Sequence, residues 1–189
     1  LGDIRNELRR ILVLGGSRGL LETALSRRPG CEFVLASDAD AGLLPPASPM
    51  RAVVDAEALP FGHGRFDAAV SLMVLHWVND LPGALIQLRR ALKPDGLMLA
   101  ALLGGETLTE LRQSLLQAEE ELEGGASPRV APFADVRDLG GLLQRAQFTL
   151  PVADAEIVRV TYAHPLALMR EVRAMGCANA LLARRKTFL

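Results

Sequence analysis

The sequence predicts an α/β domain: a mostly parallel sheet with helices on both faces. Three observations carry this expectation. Ile11-Leu12-Val13-Leu14 runs straight into the glycine-rich turn Gly15-Gly16-Ser17-Arg18-Gly19, and a helix-compatible pattern follows from Leu20. Phe66 to Leu75 is almost wholly apolar, as in a strand buried on both faces of a parallel sheet. Around these, short β-prone runs alternate with segments of helical periodicity.

Strand, glycine turn and helix in that order suit the first unit of a nucleotide-binding sheet. Glycines allow a sharp turn and let the backbone approach a ligand with no Cβ in the way. The N–H groups that open the next helix then face whatever polar or anionic group lies there. The same three glycines also suit a plain structural turn.

Before the turn, Leu1 to Arg10 reads as a charged, helix-compatible lead-in. After it, Arg18 to Arg28 is the first expected helix, ended by Pro29-Gly30. Glu32 to Ser37 is the second strand, with Asp38 at its C-terminal end. The prolines Pro45, Pro46 and Pro49 prevent a long second helix. Met50 to Val54 is a short third strand that delivers Asp55-Ala56-Glu57 to its tip. Gly62-His63-Gly64 is a turn before the apolar fourth strand. Leu81, Leu85, Leu88 and Leu92 keep helical spacing, Lys93-Pro94-Asp95-Gly96 stops that helix, and Leu97 to Leu102 is the fifth strand.

Beyond Gly104-Gly105 the pattern turns helical. Thr107-Leu108-Thr109-Glu110 reads as a capping box, and Leu108, Leu111, Leu115 and Leu122 form a stripe behind it. Gly124 to Pro132 is a loop, and Val136, Leu139, Leu142, Leu143 and Ala146 mark another amphipathic helix, weakened by Gly140-Gly141. Thr149 to Tyr162 favours strand, and Pro165 to Met175 a last helix stopped by Gly176.

Composition narrows the function. The 189 residues suit a single domain over 1–189, with a cofactor-type core in 1–104 and a substrate- or partner-side region in 105–189. A net charge of −1 gives no electrostatic footprint for nucleic acid. Cys31 and Cys177 lack metal-type spacing and read as reduced thiols. No apolar run reaches the roughly 20 residues that span a bilayer. With no signal peptide visible, a cytoplasmic or matrix-like compartment is expected. The chain opens on Leu1 rather than Met, as expected of a piece of something longer.

Chemistry-bearing residues gather at the C-terminal ends of the strands, the edge where open α/β sheets bind ligands. Asp38 lies 19 residues after Gly19, close to the roughly 20 expected of a carboxylate that accepts ribose hydroxyls. Asp55, at the tip of strand three, suits an adenine amino group. His76-Trp77-Val78-Asn79-Asp80 forms a polar and aromatic cluster beside the same edge. His76 suits a general base or a pocket wall. His63 suits a solvated turn, His164 a helix neighbour, and Arg184-Arg185-Lys186 a solvated terminus.

These residues resemble the class I S-adenosylmethionine-dependent methyltransferases. The matching pieces are Ile11 to Gly19, Asp38, Asp55-Ala56-Glu57-Ala58-Leu59-Pro60-Phe61, Phe66-Asp67-Ala68-Ala69-Val70-Ser71 and Leu92-Lys93-Pro94-Asp95-Gly96. Leu75 to Pro82, Gly104-Gly105-Glu106-Thr107-Leu108, Glu110-Leu111-Arg112, Gly124 to Pro128, Asp138-Leu139-Gly140 and Met175-Gly176 are similar to the methyltransferase-like assembly factors of respiratory complex I and their bacterial relatives. Mitochondrial members of that family are associated with arginine hydroxylation on a complex I subunit. The bacterial relatives shade into malonyl-carrier-protein O-methyltransferases.

The resemblance implies a Rossmann-like fold whose last strand lies beyond this chain, with S-adenosylmethionine as cofactor. Leu14, Gly15, Gly16, Ser17 and Gly19 would flank its amino acid end. Asp38 would hold the ribose and Asp55 with Ala56 the adenine, with Ala39, Glu57 and Leu72 as further cofactor-binding residues. His76, Trp77 and Asn79 would stand nearest the transferred methyl. The acceptor would be a small molecule, a carrier-bound group or a protein such as a complex I subunit, in the mitochondrial matrix if the source is eukaryotic. In a non-catalytic version Arg112 and its helix would face the partner. Val13 replaces the family's usual acidic residue and Ser17 a usual glycine, which removes a polar anchor and adds a Cβ to the loop. No His-x-Asp/Glu start of a two-histidine, one-carboxylate iron site is present.

Overall fold

The computed structural model describes residues 7–15, 17–46, 48, 50–125 and 129–174. The first six residues, Gly16, Ala47, Pro49, Ala126 to Pro128 and everything from Met175 on, with Gly176, Cys177 and Arg184 to Lys186, lie outside the described residues. The rest packs as two compact units. One holds the residues up to Leu102 together with Gly141–Pro151, and the other Leu103–Gly140 and the residues from Val152 on. The stretch 141–151 thus joins the first unit, because Leu142 and Ala146 are buried in its core.

The first unit is an α/β layer structure. Strands β1 (Arg10–Leu14), β2 (Phe33–Asp38), β3 (Arg51–Val53), β4 (Phe66–Leu72) and β5 (Leu92–Ala101) form one sheet in the order β3-β2-β1-β4-β5. Every pairing is parallel. The order reverses between β1 and β4, which places a crevice at their C-terminal ends. Helix α1 (Leu20–Ser26) follows β1, and α2 (Leu81–Ala91) lies between β4 and β5.

The alternation of side chains on β1 divides the core in two. Ile11 and Val13 pack with Leu25 of α1, Val34 and Val70. Leu12 and Leu14 pack with Leu85 and Leu88 of α2. Ile11 to Leu14 are each at most 1% exposed, and β1 is the sheet's central strand. Val13 belongs wholly to the core, where an unpaired carboxylate would be costly. At the opposite end of the sheet Asp67 accepts the Arg10 N–H at 2.8 Å and the Lys93 ammonium at 2.7 Å. Burial opposes its charge, yet these donors hold the Asp67 carboxyl below its usual range.

Several boundaries differ from the expected ones for local reasons. The fourth strand stops at Leu72 instead of Leu75, because Met73 takes φ 57 and the chain turns into a 3-10 turn over Leu75–Trp77. Lys93 to Gly96 does follow the helix end, but as an irregular start of β5, with Asp95 at φ 58 and a register shift opposite Phe66 and Ala68. Helix α1 is shorter than expected, since Ser17–Gly19 forms a separate 3-10 turn with Arg18 at φ 49.

In the second unit α3 spans Thr109–Glu123, α4 runs over Val136–Arg145 across the boundary between the units, and α5 spans Pro165–Ala174. The expected capping box at α3 is not made. Leu108 is the N-cap, with φ 56 and no side-chain bond, while Thr109 Oγ1 donates to the Glu106 carbonyl at 2.8 Å. Leu122, expected in the apolar stripe, is 73% exposed. Arg112, expected to face a partner, donates Nη2 to the Gly105 and Thr107 carbonyls at 3.2 and 3.0 Å. The stretch expected as a strand, Thr149 to Tyr162, enters no sheet among the described residues. β-Propensity is a preference for a half-buried pleated surface, and Ile157 and Val158 are 81% and 77% exposed.

Candidate functional site

Four chain segments leave the C-terminal edge of the sheet side by side. The first leaves β1 at Gly15, whose N–H donates to the Ser37 carbonyl at 2.9 Å. Gly15 has φ +99, and a Cβ there would stand 2.5 Å from the Leu72 carbonyl oxygen and 2.8 Å from Val74 Cγ2. Only glycine permits both the backbone angle and the approach. Gly19, buried at φ +88, repeats the device more loosely, with its Cβ position 3.1 Å from Pro45 Cβ. Ser37 Oγ donates to the Val13 carbonyl at 2.8 Å and locks the β1 and β2 ends together.

The second segment leaves β2. Asp38 Oδ1 accepts the Asp40 N–H at 2.9 Å, which holds this carboxylate at the strand tip with Ala39 exposed beside it. Its carbonyl accepts the Val54 N–H at 2.9 Å, so the exits of β2 and β3 are tied. On the third segment Asp55 is exposed, and its Oδ1 accepts the Glu57 N–H at 2.8 Å. Ala56 is buried in the α2-side core.

The fourth segment leaves β4 at Leu72 and carries His76, Trp77 and Asn79. His76 is 8% exposed, and its ring centroid lies 4.6 Å from that of Trp77. Burial pushes its pKa down from 6.5 to about 4, so the imidazole is neutral at pH 7. A base that weak is poorly matched to proton abstraction near neutrality. This sets a pH dependence. The unfolded state takes up the proton first as pH falls, so stability is complete above about 6.5 and declines as pH falls towards 4. The whole displacement corresponds to about 3 kcal/mol. Urea unfolding between pH 7 and 4 should show this slope reduced in His76→Gln. An identical slope in both proteins would contradict the assignment.

The structure thus brings Leu14, Gly15, Gly19, Asp38, Ala39, Asp55, Ala56, Glu57, Leu72, His76, Trp77 and Asn79 to one edge, with Ser17 at the start of the β1–α1 turn. One placement departs from expectation. The Glu57 carboxylate accepts the backbone N–H groups of Asn79 and Asp80, the latter at 3.2 Å, rather than standing open for an adenine. Sequence reasoning missed Gln87. This half-buried α2 side chain accepts the Leu59 N–H at 2.9 Å and donates to the Glu57 carbonyl at 2.7 Å. Its signal was an uncharged hydrogen-bonding residue beside the apolar stripe of α2.

Comparison with known proteins agrees with this architecture. Residues 12–100 match the family model of the methyltransferase domain. The chain is 41% identical over 184 residues to the human arginine-hydroxylase NDUFAF5, mitochondrial, covering 94% of this chain and 52% of that protein. The zebrafish (Danio rerio) counterpart is 46% identical over 142 residues, 72% of this chain and 44% of the relative. A malonyl-[acyl-carrier protein] O-methyltransferase of Xylella fastidiosa is 36% identical over 185 residues, covering 94% and 61%. The chain therefore spans about half the length of the curated relatives it matches. Among solved structures, an S-adenosylmethionine-dependent methyltransferase from Mesorhizobium loti superposes with a TM-score of 0.58 at 20% identity, covering 75% of each chain. The [4+2]-cyclase SpnF does so at 0.57 and 18% identity, covering 75% of this chain and 52% of that one. The second likeness shows that the fold alone does not fix the reaction. Sheet order, family model and sequence relatives converge: residues 12–100 of the chain carry the methyltransferase domain, in a Rossmann-like class I methyltransferase fold.

Proposed function

We propose that this chain binds S-adenosylmethionine at the C-terminal edge of β1 to β4 and transfers its methyl group to an acceptor. The observation that carries the reading is the bare backbone at Gly15. A side chain there would fill the crevice between the β1 and β4 exits, at the point where strand order reverses. The residues present fit the cofactor. Leu14, Gly15, Ser17 and Gly19, with Gly16 of the same sequence run, would serve its amino acid end. Asp38 and Ala39 take the ribose, Asp55 and Ala56 the adenine, and Leu72 lines the wall. The Asp55 Oδ2 atom has no protein partner among the described residues and is available as an acceptor.

When bound, the cofactor supplies a methyl group on a sulfonium, a leaving centre that needs an aligned nucleophile more than an acid–base pair. The chain's own part is positioning. His76 stays neutral and packs against Trp77, while Asn79 offers the acceptor side a polar group. Incubation with methyl-tritiated S-adenosylmethionine and malonyl-carrier protein, beside an extract rich in respiratory complex I, tests transfer. Label in an acceptor is the expected result. A protein that binds the cofactor yet labels nothing would contradict it.

A second reading rests on the 41% identity to the human arginine-hydroxylase. Here the chain serves complex I assembly by modifying or chaperoning a subunit, in the mitochondrial matrix if the source is eukaryotic. No helix of the described residues is long and apolar enough to cross a membrane. Mass spectrometry of the candidate subunit from a deletion strain should then lack the mass of one oxygen on an arginine. An unchanged subunit would remove the hydroxylation version.

A further inference from the structure

We infer that Glu57 is a positioning residue that couples the cofactor-side segment Asp55–Leu59 to the acceptor-side segment His76–Asp80, so that a ligand held by the first is felt by the second. The inference rests on the cofactor site proposed above and adds the device that links its two sides.

All three polar groups of Glu57 are engaged, each with a different element. Its N–H donates to Asp55 Oδ1 at 2.8 Å, within the segment that follows β3. Its carbonyl accepts Gln87 Nε2 of α2 at 2.7 Å. Its carboxylate Oε1 accepts the Asn79 N–H, the Asp80 N–H at 3.2 Å and Asn79 Nδ2 at 3.4 Å, across 22 to 23 residues of chain. Gln87 closes the staple by accepting the Leu59 N–H at 2.9 Å. Asp80 anchors the far side, because its Oδ1 accepts the Gly83 N–H at 2.9 Å and caps α2.

The geometry explains why a long acidic side chain stands here. A carboxylate oxygen can accept from several donors at once, and charge-assisted bonds of this kind are about twice as strong as neutral ones. The Asp55 carboxylate that would meet the adenine and the backbone that presents Asn79 are therefore joined through one residue. A ligand that orders Asp55 must also order Asn79 and Asp80, and the coupling is reciprocal.

Amide hydrogen exchange, read by mass spectrometry with and without S-adenosylhomocysteine, tests this on the protein, Glu57→Ala and Glu57→Gln. Calorimetry of the same samples establishes binding. In the protein, ligand should slow exchange in both 55–59 and 76–80. In Glu57→Ala the slowing at 55–59 should persist while that at 76–80 falls at least about tenfold, the scale of losing even one of these bonds to a charged group. Glu57→Gln keeps an acceptor oxygen and should restore it, which a loss of fold would not. Binding with slowing at 76–80 unchanged in Glu57→Ala, or with no slowing there in the parent protein, would overturn the coupling alone. No binding by the folded parent would overturn the cofactor site and the coupling with it.

Discussion

Gly15→Ala should destabilise the protein by about 3 kcal/mol and remove cofactor binding. Two costs add. The backbone at φ +99 is a strained region for any side chain, worth about 1–3 kcal/mol. The new methyl would sit 2.5 Å from the Leu72 carbonyl oxygen, so the β1 and β4 exits must separate. Overpacking of that kind costs about 1–3 kcal/mol. Gly30 provides the control, since it has φ +79 and nothing within 4 Å of the place a Cβ would occupy. Gly30→Ala should show only the backbone cost, about 1 kcal/mol. Urea unfolding of both variants measures the difference, and equal losses would show that the Leu72 approach does not constrain Gly15.

The largest single-site loss in the second unit is expected at Glu119. This α3 residue is 1% exposed, and its Oε1 accepts Arg129 Nε at 2.5 Å. Glu119→Leu leaves the guanidinium without that carboxylate in a largely buried place, which costs about 3–5 kcal/mol. Replacing both partners by apolar residues, as in Glu119→Leu with Arg129→Met, should recover much of the loss, because a well-packed apolar pair can match a buried ion pair. A single variant within about 0.5 kcal/mol of the parent would mean that the pair is effectively solvated.

Glu119 also marks where the sequence stops being legible. Glu119-Glu120-Glu121 resembles a solvated acidic run, yet Glu119 continues the four-residue spacing of Leu111 and Leu115 into the buried stripe. A charged residue at an apolar position was the available signal, and Arg129, ten residues on, was its partner. The sheet was far easier to read. Ile11 to Leu14 and the run from Phe66 are buried on both faces, so their apolar continuity survives without reference to other elements. Asp38 and Asp55 could be placed because a residue just past an apolar strand must emerge at its C-terminal edge. By contrast, the Glu57–Asn79 bond spans 22 residues and depends on how two loops leave neighbouring parts of the sheet. No local pattern encodes that. Met73 at φ 57 lies in the same class, since a methionine carries no turn signal. Thr149 to Tyr162 shows the converse error: β-branched residues announce a strand, but a strand also needs a neighbour to pair with.

On the proposed function, the strand-tip edge holds S-adenosylmethionine through Asp38. Calorimetric titration of the protein with S-adenosylmethionine, beside an Asp38→Ala variant shown to be folded, tests it most directly. Micromolar binding, about −8 kcal/mol, is expected, weakened by at least tenfold, or about 1.4 kcal/mol, in Asp38→Ala. Absence of binding to the folded parent, or undiminished binding to the variant, would contradict it.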